Sequence, residues 1–309
     1  MPIWNNRRRL CGLQLTDTHA RIMELESGDQ QALPRKKYTM ELPTNCILNG
    51  VILNEAAVVT SVETMVASLG LEEARVNLII PTGSVIMQKS VSRSLEESKL
   101  QELIQLDIQG EDYKSILKHS MLNYIRFGVS LKQEDVLVIA TPIKVIQSYM
   151  RVAKIGGLEP INIEPSLFSL YRGILLQREH KHMELTQRFI SLQTDFGFSE
   201  ISIIDQGVPV FTYIVNGSDY TTVEAYTYRL QMEFKRILYY FKQAVFSDPK
   251  DLRQLYLVGE VDWLKKLLQP LDMMFEGNVI VLSFAELWSA NEMVYDSVAV
   301  ELGLSEMGA

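Results

Sequence analysis

The chain has 309 residues, 47% of them hydrophobic, so it is long enough to bury a large core and is predicted to form two related domains. Its formal net charge of −8 argues against nucleic acid as a partner, because phosphate neutralisation needs a basic face. Two cysteines, Cys11 and Cys46, are too few for a disulfide framework or a cysteine-based zinc site. The isolated cysteines predict reduced thiols in a cytosolic compartment. No apolar run reaches the roughly 20 residues that span a bilayer, so a protein that is not integral to the membrane is predicted.

Residues 1–186 are predicted to form the first α/β domain. Residues 10–25 read as two strands around a polar turn, and residues 38–42 as a third strand. Asn54 is a typical helix cap, and the apolar spacing that follows it predicts a helix that ends at Gly70. A buried strand at residues 75–80 then completes a β, β, α, β pattern.

An α/β module is predicted within this domain, at about residues 86–142. Ser94 and Glu97 have the spacing of a capping box, which predicts a helix through residue 109. Strands are predicted at residues 118–127 and 134–140. After the module, the remaining elements of the first domain are a helix at 143–155, a strand at 159–163 and a helix at 165–177.

Residues 187–309 are predicted to form the second domain. Residues 188–217 read as three strands with turns at 195–197 and 205–207, so each half opens on a strand, a turn and a strand. This repeat predicts that the two halves of the chain share one topology. The later elements are predicted as a long helix at 224–246, a strand at 253–258, a short helix at 263–268, a strand at 278–284 and a helix at 293–302.

Short stretches in a fixed order carry a family resemblance. They are Gly12 to Leu25, Pro81 to Ser84, Gly156 to Pro160, Thr194 to Gly197, Phe234 to Tyr240 and Ser297 to Leu304. Their order and spacing resemble the actin-like ATPase superfamily and, more narrowly, the type IV pilus assembly protein PilM family, relatives of the cell-division protein FtsA. The resemblance implies an actin-like, ribonuclease H-like α/β fold of two domains with the inserted module. It also implies a reduced helical subdomain 2B, because only residues 218–223 precede the long helix.

The first turn departs from the family's nucleotide motif. Active members read Gly-x-Asp-x-Gly-Thr where this chain has Gly12, Gln14, Thr16 and Asp17. Gln14 removes a carboxylate that would orient water around Mg²⁺. Thr16 adds a Cβ where backbone amides would approach phosphate, and Asp17 places a negative charge there. The family's downstream lysine position holds Arg21, which is expected on a solvated strand edge.

The second turn departs less. It keeps Asp195 and Gly197, whereas the adenosine motif reads Gly259 and Glu260, and Glu260 would crowd a purine. The resemblance with these changes implies a pseudo-ATPase with no catalytic residue, no cofactor and no metal. The alternative is an ATP-binding switch or weak ATPase, with ATP and Mg²⁺ bound at this degenerate site.

The resemblance implies a non-enzymatic cytoplasmic scaffold of a type IV pilus assembly apparatus, peripheral to the inner membrane. Its expected partners are the N-terminal tail of a PilN-like bitopic membrane protein, docked between the first domain and the module, and other pilus assembly proteins. Candidate groove residues, chosen by position, are Val85, Ile86, Met87, Leu103, Ile104 and Asp107. A cytoplasmic component of a type II secretion system, an FtsA-like polymer and a smaller homo-oligomer stay open as alternatives.

Overall fold

The computed structural model describes residues 9–27, 32–92, 117–129, 134–180, 182–183, 186–195, 198–217, 220, 222–245, 252–259 and 261–282. The helices predicted at 94–109 and 293–302 lie outside these ranges. So do the candidate site residues Gly197, Glu260, Leu103, Ile104 and Asp107.

The first half of the chain builds a five-stranded sheet in the order β10-β6-β1-β2-β3. Its strands are β1 (Leu10–Leu15), β2 (His19–Ser27), β3 (Ala32–Glu41), β6 (Arg75–Ile80) and β10 (Glu159–Pro165). β1, β2 and β3 are antiparallel neighbours, whereas β6 runs parallel to β1 and to β10. β1 and β6 are apolar along most of their length because both faces are covered. Between β3 and the first helix lies a hairpin of β4 (Ile47–Leu48) and β5 (Val51–Ile52).

Helices α1 (Glu55–Leu69) and α2 (Ile143–Ile155) pack against each other and against this sheet. The side chain of Asn54 accepts a hydrogen bond from the backbone N–H of Ala57, which confirms the predicted cap. Arg151 on α2 donates two hydrogen bonds to Glu55 on α1, at 2.7 and 2.5 Å. These bonds, with one from Ser148, lower the pKa of Glu55 to about 2.

The second half repeats the plan of the first. Its strands are β11 (Arg188–Asp195), β12 (Phe198–Asp205), β13 (Val208–Asn216), β14 (Gln254–Gly259) and β15 (Asn278–Val281). The order is β13-β12-β11-β14-β15, with the first three strands antiparallel and the last two parallel to β11. In each half, three antiparallel strands form a meander, and two further strands continue the sheet beside the first strand of the meander and parallel to it. The two described sheets therefore have the same topology, as the sequence predicted.

The helices of the second half differ from the prediction at their ends. Helix α4 (Val223–Tyr240) passes into a π turn at Phe241–Val245, and the next helix, α5 (Val261–Met274), is longer than the predicted 263–268. The observed helix continues through Pro270, although proline is a helix breaker by propensity. Apolar residues on both sides of the proline, Leu267 and Leu271, are fully buried in the core, and this packing outweighs the propensity.

The module contributes a three-stranded antiparallel sheet in the order β7-β9-β8. These strands are β7 (Ile86–Ser92), β8 (Ser120–Val129) and β9 (Glu134–Pro142), and a 3₁₀ turn at Thr82–Ser84 leads into β7. β9 is buried on both faces. Leu137 and Ile139 join the core of the first half, while Val136 and Val138 form a small separate cluster with Leu117.

Helix α3 (Ser166–His180) connects the two halves. Its residues Leu167, Leu170 and Ile174 pack in one buried cluster with Phe189 and Tyr256 of the second sheet. The hydroxyl of Thr82 accepts the backbone N–H of Leu167, so the 3₁₀ turn caps the start of α3. Within the described residues, no helix combines the length and hydropathy needed to cross a membrane.

Candidate functional site

The turn between β1 and β2 is closed by its own side chains. The backbone N–H of His19 donates to Oγ1 of Thr16 at 3.0 Å, which fixes the hairpin. Both carboxylate oxygens of Asp17 accept backbone N–H groups from the β4–β5 turn, from Asn49 at 2.7 Å and from Gly50 at 3.0 Å. Asp17 therefore connects the β1–β2 hairpin to the β4–β5 hairpin through two hydrogen bonds.

Gln14 and Arg21 form a buried pair behind this turn. Each side chain is only 3% exposed, and Nη1 of Arg21 donates to Oε1 of Gln14 at 3.3 Å. The expectation that Arg21 lies on a solvated strand edge was wrong. The reason is that β2 lies between β1 and β3, with Arg21 opposite Gln14 of β1 and Thr39 of β3. β2 is thus an inner strand, and Arg21 is covered.

The end of the second hairpin is filled by an aromatic and hydroxyl cluster. β11 ends at Asp195, and just before it the hydroxyls of Thr194 and Ser199 lie 2.7 Å apart. Nε1 of Trp263 donates to Oγ1 of Thr194 at 2.5 Å, and the hydroxyl of Tyr226 lies 2.7 Å from that of Ser199. The rings of Tyr226 and Trp263 are stacked, with centroids 5.4 Å apart. We call these four residues (Thr194, Ser199, Tyr226 and Trp263) the aromatic cluster; none is more than 4% exposed.

Gly259 has a structural reason to be glycine. It lies opposite Thr194 in the parallel pairing of β11 with β14. A Cβ at Gly259 would lie 2.1 Å from the carbonyl oxygen of Thr194, so any other residue would push the two strands apart. This requirement holds whether or not a purine lies nearby.

A cavity of about 250 Å³ lies between the first sheet and the module, and we call it the module groove. Met121, Asn123 and Ile125 of β8 lie at alternate positions, so one face of the module sheet forms one wall. The other lining residues are Ile80, Ile139, Thr141, Ile146, Ile163, Glu164, Pro165, Phe168 and Arg172. These described lining residues are mainly apolar and come from six different elements.

One end of the module groove is polar. Arg172 forms a bidentate ion pair with Glu164, in which Nη1 donates to Oε2 at 3.0 Å and Nη2 contacts Oε1. The hydroxyl of Ser169 donates to the same carboxylate at 2.5 Å. Because Glu164 lies on β10 and Arg172 on α3, this network joins two of the elements that border the groove.

A second cavity, of about 370 Å³, lies between the module and the second sheet, and we call it the interdomain groove. The three described candidates Val85, Ile86 and Met87, expected between the first domain and the module, line this groove. On this side they are joined by Thr82, Gly83, Lys89 and Leu137, and Pro209–Ile214 of β13 form the other side. The sequence prediction missed the residues of the module groove, although the alternation Met121, Asn123, Ile125 was a visible signal.

No protein-family model matches the chain, and no curated protein matches it. Solved structures do. The chain is similar to a Bacteroides thetaiotaomicron protein described as having an actin-like ATPase fold and unknown function, with a TM-score of 0.51 and 12% identity over 93% of this chain and 96% of that one. It is also similar to the ethanolamine utilization protein EutJ from Carboxydothermus hydrogenoformans, with a TM-score of 0.53 and 11% identity over 96% and 89%. The chain thus has an actin-like α/β fold, as predicted.

A further similarity is to a structure described as a PilM–PilN type IV pilus biogenesis complex. Its TM-score is 0.80 at 15% identity, and the match covers 97% of this chain and 98% of that chain. The resemblance to PilM that the sequence indicated is therefore confirmed at the level of the fold.

Proposed function

We propose that this protein is a non-enzymatic scaffold of a type IV pilus assembly apparatus, cytoplasmic and peripheral to the inner membrane. In this proposal the module groove binds the N-terminal tail of a PilN-like bitopic membrane protein. The observation that carries the proposal is the groove itself, a mainly apolar cavity in a chain whose fold matches the PilM–PilN structure over 97% of its length.

The groove suits an extended peptide. β10 and β8 are the outermost strands of their described sheets, and both border the cavity. An extended segment between them would place alternate side chains against the apolar wall of Met121 and Ile125. Asn123 and the ion pair of Glu164 with Arg172 supply polar groups that would fix the register of that segment.

The test is a binding titration of the full chain with a labelled peptide. The peptide carries the N-terminal tail encoded by the neighbouring gene for a small bitopic membrane protein. Met121→Glu is expected to weaken binding about tenfold or more, because the peptide would bury a carboxylate against apolar atoms. Met121 is 50% exposed in the free protein, so the substitution should leave the fold intact.

Ile155→Glu is the matched control, since Ile155 is 57% exposed and is not among the residues that line the module groove. It should bind the peptide as the parent does. Equal affinity of all three proteins, or no binding by the parent, would contradict the proposed docking site.

The scaffold is also proposed to lack ATP binding. Two observations support this. Both carboxylate oxygens of Asp17 accept hydrogen bonds from backbone amides, and the side chain of Gln14 is hydrogen-bonded to buried Arg21. Mg²⁺–ATP needs a carboxylate that is free to hold hydrated Mg²⁺ and backbone amides that are free to hold phosphate. These residues do not fit Mg²⁺–ATP.

Equilibrium binding of a fluorescent ATP analogue with Mg²⁺ is expected to show no saturation in the micromolar range. Binding in that range, lost on Asp195→Ala, would instead support the ATP-gated switch. That result would leave the peptide titration untouched, so the two parts of the proposal can fail separately.

A further inference from the structure

We propose that the interdomain groove is a second docking site, which takes an extended, acidic segment of a partner protein as an added strand on β13. The groove is distinct from the module groove, and the described residues that line the two grooves do not overlap. The proposal therefore does not depend on the PilN-like tail.

The backbone edge of β13 borders the groove. In the described sheets β13 pairs with β12 and β7 pairs with β9, so both strands stand at the edges of their sheets. Successive side chains of a strand point to opposite faces, yet six consecutive residues, Pro209–Ile214, line the cavity. That pattern means that the edge of the strand, and not one of its faces, meets the cavity. An edge with unpaired N–H and C=O groups is a template for another strand.

The groove has room for a short segment and is closed at one end. Its volume of about 370 Å³ lies within the range of binding pockets, roughly 300–1,000 Å³. At Gly83 a Cβ would lie 2.4 Å from Cδ1 of Ile214, so the two halves touch there. A segment on β13 would place one row of side chains against Val85 and Met87, and this row is expected to be apolar.

Charge favours an acidic partner. Among the described residues that line the groove, Lys89 is the one with a charged side chain, and it pairs with Asp135 at 2.6 Å. On the opposite side, the guanidinium of Arg236 lies over the ring of Tyr213, 5.4 Å from its centroid.

Arg236 is part of a charged group on α4 with a positive excess. Arg236 and Arg229 both pair with one buried carboxylate, that of Glu233, which leaves a net positive charge beside the groove. This local excess is opposite in sign to the net charge of −8 of the whole chain. Glu200, buried near Thr82, loses its negative charge as pH falls below 7, because burial raises its pKa to about 7.

The test uses the full chain at pH 6.5, immobilised and offered a phage library of random peptides. The selected peptides are expected to carry carboxylates alternating with apolar residues. Hydrogen exchange of the complex with a synthetic selected peptide should show new protection of amides in residues 210–214, which a purely side-chain contact would not give. The double variant Lys89→Glu with Arg236→Glu is expected to bind about tenfold more weakly, because two favourable charge contacts become repulsive.

The double variant Lys144→Glu with Lys154→Glu is the matched control, an equal charge change at two exposed residues that do not line the groove. It should leave affinity unchanged, and so should Met121→Glu in the module groove. The proposal would be overturned if the selected peptides were basic, or if peptides were enriched no more than on an immobilised, unrelated acidic protein. It would also be overturned if the amides of β13 gained no protection, or if the double variant Lys89→Glu with Arg236→Glu bound as tightly as the parent.

Discussion

Replacing Glu200 with glutamine is expected to stabilise the protein above neutral pH, by at most about 3 kcal/mol at pH 8. Glu200 lies on β12 and is 1% exposed. Ser202 donates to its Oε1 at 3.3 Å, while Oε2 has no hydrogen-bond partner of good geometry among the described residues. Burial raises the pKa of Glu200 to about 7, and the hydroxyls of Thr82 and Ser202 oppose this rise only in part.

The sign of the effect follows from proton binding. The pKa of Glu200 is about 7 in the folded protein against 4.5 for an unperturbed glutamate, so folding takes up a proton between these values. The free energy of unfolding should therefore fall as pH rises through this window and level off above it. Glutamine has the same shape and no charge, so the variant lacks this loss, and the difference should shrink below pH 5.

Urea unfolding of the parent and of Glu200→Gln at several pH values between 5 and 8 measures the effect. Glu63→Gln is the control, because Glu63 is exposed on α1. This substitution should change the free energy of unfolding by the same amount at pH 5 and at pH 8. A glutamine variant that is less stable than the parent at pH 8 would mean that the carboxylate is ionised and stabilising in the folded state.

The order of strands and helices was readable from sequence because its signals are local. The turn at Asp205, Gln206 and Gly207 is one example, since Gln206 and Gly207 both have positive φ, 51° and 84°, and glycine is suited to such a position. The cap at Asn54 and the apolar repeat of α1 are another. The order and spacing of such stretches carried the resemblance to actin-like proteins, and the fold that this resemblance implied is the one observed.

The side-chain contacts within the candidate sites could not be predicted from the sequence, because they join residues that are far apart in the chain. Trp263 reaches Thr194 across 69 positions, and Asp17 reaches Asn49 across 32. A sequence motif reports that a carboxylate is present at Asp17, but not that backbone amides already occupy both of its oxygens. The same holds for Glu200, whose burial between the two halves depends on how they pack and not on its neighbours in the chain.

Trp263→Ala is expected to destabilise the protein by about 3–5 kcal/mol, the range for removing a buried aromatic side chain. Trp263 is 4% exposed, stacks on Tyr226 and donates to Thr194. Trp263→Phe keeps most of the packing and loses only the hydrogen bond, so it should cost about 1–2 kcal/mol. Urea unfolding followed by far-ultraviolet circular dichroism gives both values. Tyr239→Ala is the control, since Tyr239 is 70% exposed on α4 and its removal should change stability by no more than about 0.5 kcal/mol.

The same variant separates two reasons for the proposed lack of nucleotide binding. The aromatic cluster fills the end of the second hairpin, whereas Gln14 and Asp17 change the chemistry of the first turn. If chemistry is decisive, opening a cavity with Trp263→Ala should leave the ATP analogue unbound, because neither a carboxylate for Mg²⁺ nor free amides for phosphate are restored. If Trp263→Ala bound the ATP analogue in the micromolar range and the parent did not, the aromatic cluster would be the steric reason for exclusion. The first turn would then be compatible with a bound nucleotide.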